Sequence, residues 1–260
     1  MEKTLSELFS LKENVSVVIG GGGHLCSAMA KGLAMAKSSI VILDIREEKA
    51  LKVAEEIKNV YKVDTMALQA DVTKEDHLFR ALEVILKNKK NIDILINGAG
   101  INSPKPFLEI PLQEWQIVMD SQITATMLGC KVFAPHMINN KKGSIINISS
   151  ASAGPPLSKA FAYSVAKAGI KNLTMNLARE WATYNVRVNA IRPGFFPTDW
   201  NKKNFITKDR EKAILNHTPM KRYGENSELI GATVWLASEA SSFVTGSEVT
   251  IDGGFSCMTI

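Results

Sequence analysis

The stretch VVIGGGGHLCSAMA, Val17 to Ala30, carries the strongest structural signal in this chain. An apolar run leads into four consecutive glycines, and small residues with helical spacing follow them. After a strand, glycines allow a tight turn and let the backbone approach a pyrophosphate, whose charge the N-terminus of the next helix stabilises. The stretch therefore predicts a strand, a phosphate-binding turn at Gly20 to Gly23 and a helix, although a glycine run alone is equally consistent with an ordinary loop.

The same order of short apolar run and longer amphipathic stretch repeats along the chain. The runs VSVVI, SIVIL, TMALQ and IDILI each precede a stretch of helical periodicity, and GSIINIS, VRVNAI and EVTI continue the pattern. Strands separated by helices of this length indicate βαβ units with right-handed crossovers. We therefore predict an α/β fold, a doubly wound parallel sheet with helices on both faces, which binds ligands at the carboxyl ends of its strands.

Composition narrows the classes of protein that fit. No linker or repeat divides the 260 residues, so we predict one domain over residues 1–260. Cys26, Cys130 and Cys257 lie far apart and outside any CxxC or Cys/His cluster, which indicates neither disulfides nor a metal site and favours the cytoplasm. No apolar run could act as a signal peptide or span a bilayer, and the net charge of +5 comes from scattered lysines, so we expect neither a membrane nor a nucleic-acid partner.

Asp44 ends the predicted second strand, about 20 residues after the glycines. A carboxylate there accepts hydrogen bonds from the adenosine ribose and repels a 2′-phosphate, which favours NAD over NADP. Asp44 could also cap a helix that begins near Glu47, and this does not exclude the ribose contact. The nearby Arg46 tempers the preference for NAD, although it is interpreted as a solvated residue at the start of that helix.

The sequence YSVAK, Tyr163 to Lys167, carries the strongest chemical signal. Helical spacing places the two end residues on one face, one turn apart, and an ammonium beside a phenol lowers the phenol pKa from about 10. Tyr163 could then act as acid in carbonyl reduction and as base in alcohol oxidation. An isolated YxxxK is usually a surface pair, but Ser150, at the end of NISS in the preceding strand, would stand beside Tyr163 and bond the reacting oxygen.

These pieces, together with ADVT, NGAG, RVNAIRPGFFPT and SSFVTGSEVTIDGGFS, resemble the short-chain dehydrogenase/reductase family from about Leu11 to Phe255. The resemblance implies a single Rossmann-like domain, hydride transfer between NAD(P) and a carbonyl/alcohol pair, and a homotetramer. The tetramer would use the helices at 113–138 and 161–184 and the C-terminal strand.

The resemblance also assigns roles to residues of this chain. Ser150 would orient the substrate, Tyr163 transfer the proton, and Lys167 bind the nicotinamide ribose and tune Tyr163. Gln122 replaces the asparagine that usually helps to hold a water of the proton relay, and its extra methylene predicts a rearranged relay with cofactor binding intact. The implied cofactor contacts are Gly20, Gly22, Gly23, His24, Leu25, Asp44, Asp71, Val72, Asn97, Ala99, Tyr163, Lys167, Pro193, Phe196 and Thr198.

The glycine loop departs from the family pattern TGxxxGxG. Ile19, His24 and Cys26 replace the threonine and the last two glycines. Cys26 is small enough for close packing of helix on strand, and His24 is expected to face solvent, with donation to the pyrophosphate as the alternative. Because Gly20 to Gly23 supply a flexible backbone, we predict a working, modified loop.

The substrate is expected to contact a lid at about 198–220, through Trp200 and Lys202, and Arg192 could pair with a substrate carboxylate. An internal ion pair is the other interpretation of Arg192. The likeness to the sugar-acid branch, with its gluconate 5-dehydrogenase and mannonate oxidoreductase-like members, suggests an NAD-dependent oxidoreductase acting on a secondary alcohol or ketone of a sugar, sugar acid or polyol. Two alternatives stay open: an NADPH-dependent 3-oxoacyl thioester reductase, and a nucleotide-binding regulatory protein with weakened catalysis.

Overall fold

The computed structural model describes residues 3–198 and 206–259. Within them, seven parallel strands form one sheet in the order β3-β2-β1-β4-β5-β6-β7. The strands are β1 (Val15–Ile19), β2 (Ser39–Asp44), β3 (Thr65–Gln69), β4 (Ile94–Asn97), β5 (Gly143–Ile148), β6 (Val186–Pro193) and β7 (Glu248–Ile251).

The helices of the described residues alternate with these strands. They are α1 (Leu5–Leu8), α2 (His24–Met35), α3 (Glu47–Tyr61), α4 (Glu75–Asn88), α5 (Leu112–Met119), α6 (Ala125–Asn139), α7 (Phe161–Trp181), α8 (Lys208–His217) and α9 (Ile230–Ala237). The single long helix expected at 113–138 contains a π-helical turn, Asp120–Thr124, between α5 and α6. The helix expected at 161–184 ends as α7, and a 3₁₀ turn at Ala182–Tyr184 completes it.

Helices cover both faces of the sheet. Helices α2, α3 and α9 contribute buried side chains such as Leu33, Ile57 and Leu236 to the core on one face. Helices α4, α6 and α7 contribute others, including Leu78 and Phe133, to the core on the opposite face. Burial on both faces explains why the strand runs are almost continuously apolar rather than alternating. The predicted doubly wound α/β fold is confirmed.

The strand order reverses at β1, which is paired with β2 on one side and β4 on the other. In an open parallel sheet this reversal leaves a crevice outside the carboxyl ends of the strands, because the connecting helices leave toward opposite faces. The glycine turn leaves β1 at this point. The fold therefore places the turn and the ends of β4 and β5 around one crevice.

Candidate active site

The glycine turn packs tightly against its neighbours at the carboxyl edge of the sheet. Gly20 has φ +74° and donates its N–H to the carbonyl of Leu43 at 2.7 Å. A Cβ on Gly20 would lie 2.8 Å from the backbone nitrogen of Ala99, so no other residue fits. Gly23 precedes His24, the first residue of α2. The first-turn N–H groups of α2, including that of Leu25, have no acceptor within their own helix and are available to an anion.

Cys26 and His24, which depart from the family pattern, leave this turn intact. The Cys26 thiol fills the space over Gly98, where a Cβ would lie 2.2 Å from Sγ. Burial raises the pKa of Cys26 to about 12, so the side chain is a neutral thiol that packs helix on strand. His24 is exposed at the start of α2, which is the solvent-facing placement that the sequence favours.

Asp44 holds the turn from the neighbouring strand. Its Oδ2 accepts the N–H of Gly22 at 3.0 Å and its Oδ1 accepts the N–H of Arg46 at 3.1 Å, while only 5% of the residue is exposed. The helix-capping alternative for Asp44 is wrong, because α3 begins after Arg46 and no side chain caps it. A Cβ on Gly22 would lie 2.8 Å from Asp44 Oδ2. A glycine backbone beside a carboxylate is the arrangement that binds a pyrophosphate and its adjoining ribose.

Asp71 and Val72 follow β3 at the same edge. Burial raises the pKa of Asp71, but hydrogen bonds from the Thr73 hydroxyl and N–H outweigh it and hold the pKa below its usual value. The N–H of Asp71 donates to His77 Nδ1 at 3.3 Å. Val72 belongs to the buried core, and 8% of it is exposed. The contact of Asp71 and Val72 with adenine stays a prediction.

Asn97 does not direct its side chain along the cofactor path, contrary to expectation. Its Nδ2 donates to Asn147 Oδ1 at 2.9 Å and to Cys130 Sγ at 3.3 Å, inside the core. The last residue of β4 turns its side chain toward α6 because successive strand residues face opposite sides of the sheet. Ala99, two residues later, meets Gly20 through its backbone.

The three residues expected to be catalytic meet at the end of β5. Ser150 follows that strand, and Tyr163, which α7 presents from the opposite side, lies beside it. Lys167 lies one turn further along α7, with Nζ 5.5 Å from the centroid of the Tyr163 ring. Its Nζ donates to the carbonyl of Ile148 at 2.6 Å, which ties α7 to β5.

The electrostatics of this cluster differ from the sequence expectation. Burial raises the pKa of Tyr163, and the neighbouring Ser150 hydroxyl opposes the rise. Burial lowers the pKa of Lys167 to about 8. Lys167 directs its ammonium to the Ile148 carbonyl, so in the protein alone burial outweighs the expected lowering of the Tyr163 pKa by the lysine. Near neutral pH Tyr163 is a protonated phenol, the form that donates a proton.

Gln122 lies in the π-helical turn and is almost fully buried. Its Nε2 donates to the carbonyl of Ile101 at 2.8 Å, and its own carbonyl accepts the Thr126 hydroxyl at 2.8 Å. A Cβ on Gly100 would lie 2.3 Å from the Gln122 side chain. Gln122 thus holds the loop that follows β4, and its role in a proton relay stays a prediction.

Arg192 makes the internal ion pair that was its other interpretation, and a contact with the substrate stays untested. Its Nη1 lies 3.3 Å from Glu248 Oε2, and its Nη2 donates to the carbonyl of Ala151 at 3.1 Å. Sequence reasoning missed Glu248 as the partner. The available signal was an acidic residue at the start of the short strand EVTI, which pairs with β6.

The remaining candidates follow β6. Pro193 is buried at the end of that strand. Phe196 packs over Gly224, where a Cβ would lie 2.3 Å from the ring, and Thr198 is the last residue described before the gap. Trp200 and Lys202 lie outside the described residues. Of the predicted lid, α8 is described, with Thr207 capping its N-terminus.

Residues 3–198 and 206–259 contain neither a candidate metal site nor a candidate membrane-spanning helix. No group of three or more His, Cys, Asp or Glu side chains is placed to hold a metal ion. No helix there is long and apolar enough to cross a membrane.

Comparisons with known proteins agree with this geometry. A family model described as enoyl-(acyl carrier protein) reductase matches residues 25–256. The uncharacterized oxidoreductase UxuB of Bacillus subtilis is 39% identical over 267 aligned positions, covering 95% of this chain and 96% of that protein. The 2-dehydro-3-deoxy-D-gluconate 5-dehydrogenase of Formosa agariphila is 34% identical, covering 95% of this chain and 94% of that protein.

A solved structure has the same fold as this chain. The crystal structure of a gluconate 5-dehydrogenase from Burkholderia cenocepacia in complex with NADP and tartrate has a TM-score of 0.93 and 29% identity, covering 98% of this chain and 100% of that one. The full-length matches accompany a glycine turn at the strand-order reversal and a Ser–Tyr–Lys cluster beside it. The chain therefore belongs to the short-chain dehydrogenase/reductase family of nicotinamide-dependent oxidoreductases.

Proposed function

We propose that this protein interconverts a secondary alcohol and a ketone on a sugar acid, with NAD as cofactor and Tyr163 as the proton donor and acceptor. The observation that carries the proposal is the cluster of Ser150 and Tyr163, with Lys167 one turn away, at the sheet edge that also holds the glycine turn. The substrate class is supported by two relatives whose names contain gluconate 5-dehydrogenase.

The residues present suit a dinucleotide. The first-turn amides of α2 would hold the pyrophosphate, and Asp44 would accept bonds from the adenosine ribose. When bound, the nicotinamide ring accepts or donates the hydride. Asp44 supports the choice of NAD, since its carboxylate would face the position of a 2′-phosphate.

The proton chemistry follows from the environment of Tyr163. In ketone reduction, Tyr163 donates its phenolic proton to the carbonyl oxygen, while the Ser150 hydroxyl hydrogen-bonds that oxygen and orients it. In alcohol oxidation the same groups act in reverse, and the charged form of Lys167 stabilises the phenolate. Because the pKa of Lys167 is lowered to about 8, that stabilisation weakens in alkaline solution.

We also propose a cytoplasmic homotetramer. Helices α5, α6 and α7 carry apolar side chains that the single chain leaves exposed, including Leu112, Ile117, Met127, Val165 and Met175. Exposed apolar side chains on neighbouring helices favour burial in a subunit interface. Trp200 and Lys202 remain the proposed substrate contacts of the lid.

The proposal is tested by following NAD and NADP reduction with aldonic acids, uronic acids, polyols and 3-hydroxyacyl thioesters, with Tyr163→Phe as the control. Turnover of one sugar acid with NAD, abolished in the control, is the expected result. Turnover of thioesters alone with NADP would replace it with the acyl reductase alternative, which a relative named 3-oxoacyl-(acyl-carrier-protein) reductase supports. Tight NADH binding without turnover of any compound would favour the regulatory alternative.

A further inference from the structure

We propose that the buried pair of Arg192 and Glu248 is a positioning device for Ser150, which fixes the turn that carries this serine relative to helix α7. The inference rests on the proposed function, since it concerns the placement of Ser150 beside Tyr163 that the reaction uses. Neither residue of the pair is assigned contact with the substrate. They act through the backbone and side chains that surround Ser150.

The two chain neighbours of Ser150 are both bonded to this pair. Ser149 donates its hydroxyl to Glu248 Oε1 at 2.7 Å. On the other side, the carbonyl of Ala151 accepts Arg192 Nη2 at 3.1 Å. Ser150 therefore lies between two residues that are hydrogen-bonded to the ion pair, and its position depends on the position of that pair.

The pair also reaches the helix that carries Tyr163. Lys171 Nζ lies 3.5 Å from Glu248 Oε2, and Lys171 is one turn after Lys167 on α7. One carboxylate thus contacts both the turn after β5 and the catalytic helix. The side chains of Arg192 and Glu248 are each only 10% exposed, so the ion pair is weakly screened by solvent and salt.

The geometry requires an arginine. Its planar fork bonds Glu248 with one nitrogen and Ala151 with another, which the single nitrogen of a lysine cannot reproduce. The turn passes directly over the fork, since a Cβ on Gly154 would lie 2.5 Å from Arg192 Nη2. Arg192 Nε has no hydrogen-bond partner among the described residues, and a buried pair left partly unsatisfied contributes little to stability. Positioning of the turn explains the pair better than stability does.

The kinetic test compares Arg192→Met, Arg192→Lys and Glu248→Gln with a matched control, Arg187→Lys. Arg187 lies in the same strand, but its guanidinium donates to the carbonyls of Leu236 and Ser238, away from Ser150. We expect Arg192→Met to lower kcat about 10- to 100-fold while KM and the Kd of NADH change little, because only proton transfer loses its geometry. Arg192→Lys should fall between wild type and Arg192→Met, and Arg187→Lys should lower Tm with kcat unchanged.

Two kinetic outcomes would overturn the inference. An unchanged kcat in Arg192→Met, with a lower Tm, would make the pair purely structural. A KM that rises for anionic substrates but not for polyols would return Arg192 to the role of a substrate ligand.

A spectroscopic test needs no substrate, so its failure is distinct from failure of the proposed function. The chain has four tyrosines, and ¹³Cζ labelling gives a simple spectrum in which Tyr163→Phe identifies the Tyr163 resonance. Ser150→Ala, which removes the hydroxyl beside Tyr163, defines the shift expected for loss of that neighbour at neutral pH. Arg192→Met should move the resonance in the same direction, and an unmoved resonance would refute the positioning role even if the enzyme proves to act on another substrate.

Discussion

Replacing Asp44 by asparagine removes one charge from the glycine turn with little change in volume. Each carboxylate oxygen of Asp44 accepts a backbone N–H, from Gly22 at 3.0 Å and from Arg46 at 3.1 Å. An amide has one acceptor oxygen, so one of these N–H groups must face an NH₂ group. Loss of a buried hydrogen bond to a charged acceptor costs about 1.5–3 kcal/mol, and at this chain length each kcal/mol lowers Tm by about 2–4 °C. We expect Tm to fall by about 3–12 °C.

The same substitution should change cofactor preference. A carboxylate and a unit negative charge about 5 Å apart repel by about 3 kcal/mol at an effective dielectric constant of 20, and a 2′-phosphate carries more than one unit at neutral pH. Solvent and salt remove part of this repulsion. We therefore expect wild type to bind NADH at least about 100-fold more tightly than NADPH, and Asp44→Asn to reduce this ratio at least about 10-fold.

The assay is fluorescence titration of NADH and NADPH into wild type, Asp44→Asn and a control, Asp64→Asn. Asp64 is largely exposed and pairs with Lys89, so the control makes the same change in net charge away from the turn. The ratio of the two Kd values should change in Asp44→Asn alone. An unchanged ratio in Asp44→Asn, or an equal change in the control, would refute the role given to this carboxylate.

Three further predictions concern the rest of the site. Gly98→Ala should lower Tm strongly, because its Cβ would lie 2.2 Å from Cys26 Sγ. The double variant Gly98→Ala/Cys26→Ala should recover part of this loss. If the changes in Tm of the two single variants simply add in the double variant, the contact is contradicted. The pKa of Lys167 is lowered from 10.5 to about 8, so between these values the unfolded chain binds more protons than the folded one. The free energy of unfolding should therefore rise with pH across that window. Denaturant titrations at several pH values should show a smaller rise in Lys167→Met than in wild type, and equal slopes would contradict the prediction. Gln122→Asn should lower Tm, because the shorter side chain loses its bond to Ile101, with the Kd of NADH nearly unchanged; a large loss of NADH affinity would contradict the placement of Gln122 outside the cofactor site.

The amino-acid sequence alone was sufficient for the architecture and for the reacting cluster. The bounds of β1 coincide with the run VSVVI, because a central strand buried on both faces is largely apolar and that requirement is local. The bounds of β7, a partly buried edge strand, coincide with EVTI. The glycine turn and the pair Tyr163 and Lys167 were also recognisable, since each depends on short spacing along one turn or one helix face.

Only the tertiary structure decided the features that depend on distant partners. Arg192 and Glu248 are 56 residues apart, and nothing local in either strand shows that they meet behind Ser150. The inward side chain of Asn97 likewise depends on Asn147, 50 residues away. The raised pKa of Tyr163 is decided in the same way, because burial depends on the packing of the whole domain, whereas residue spacing shows only which groups can be neighbours.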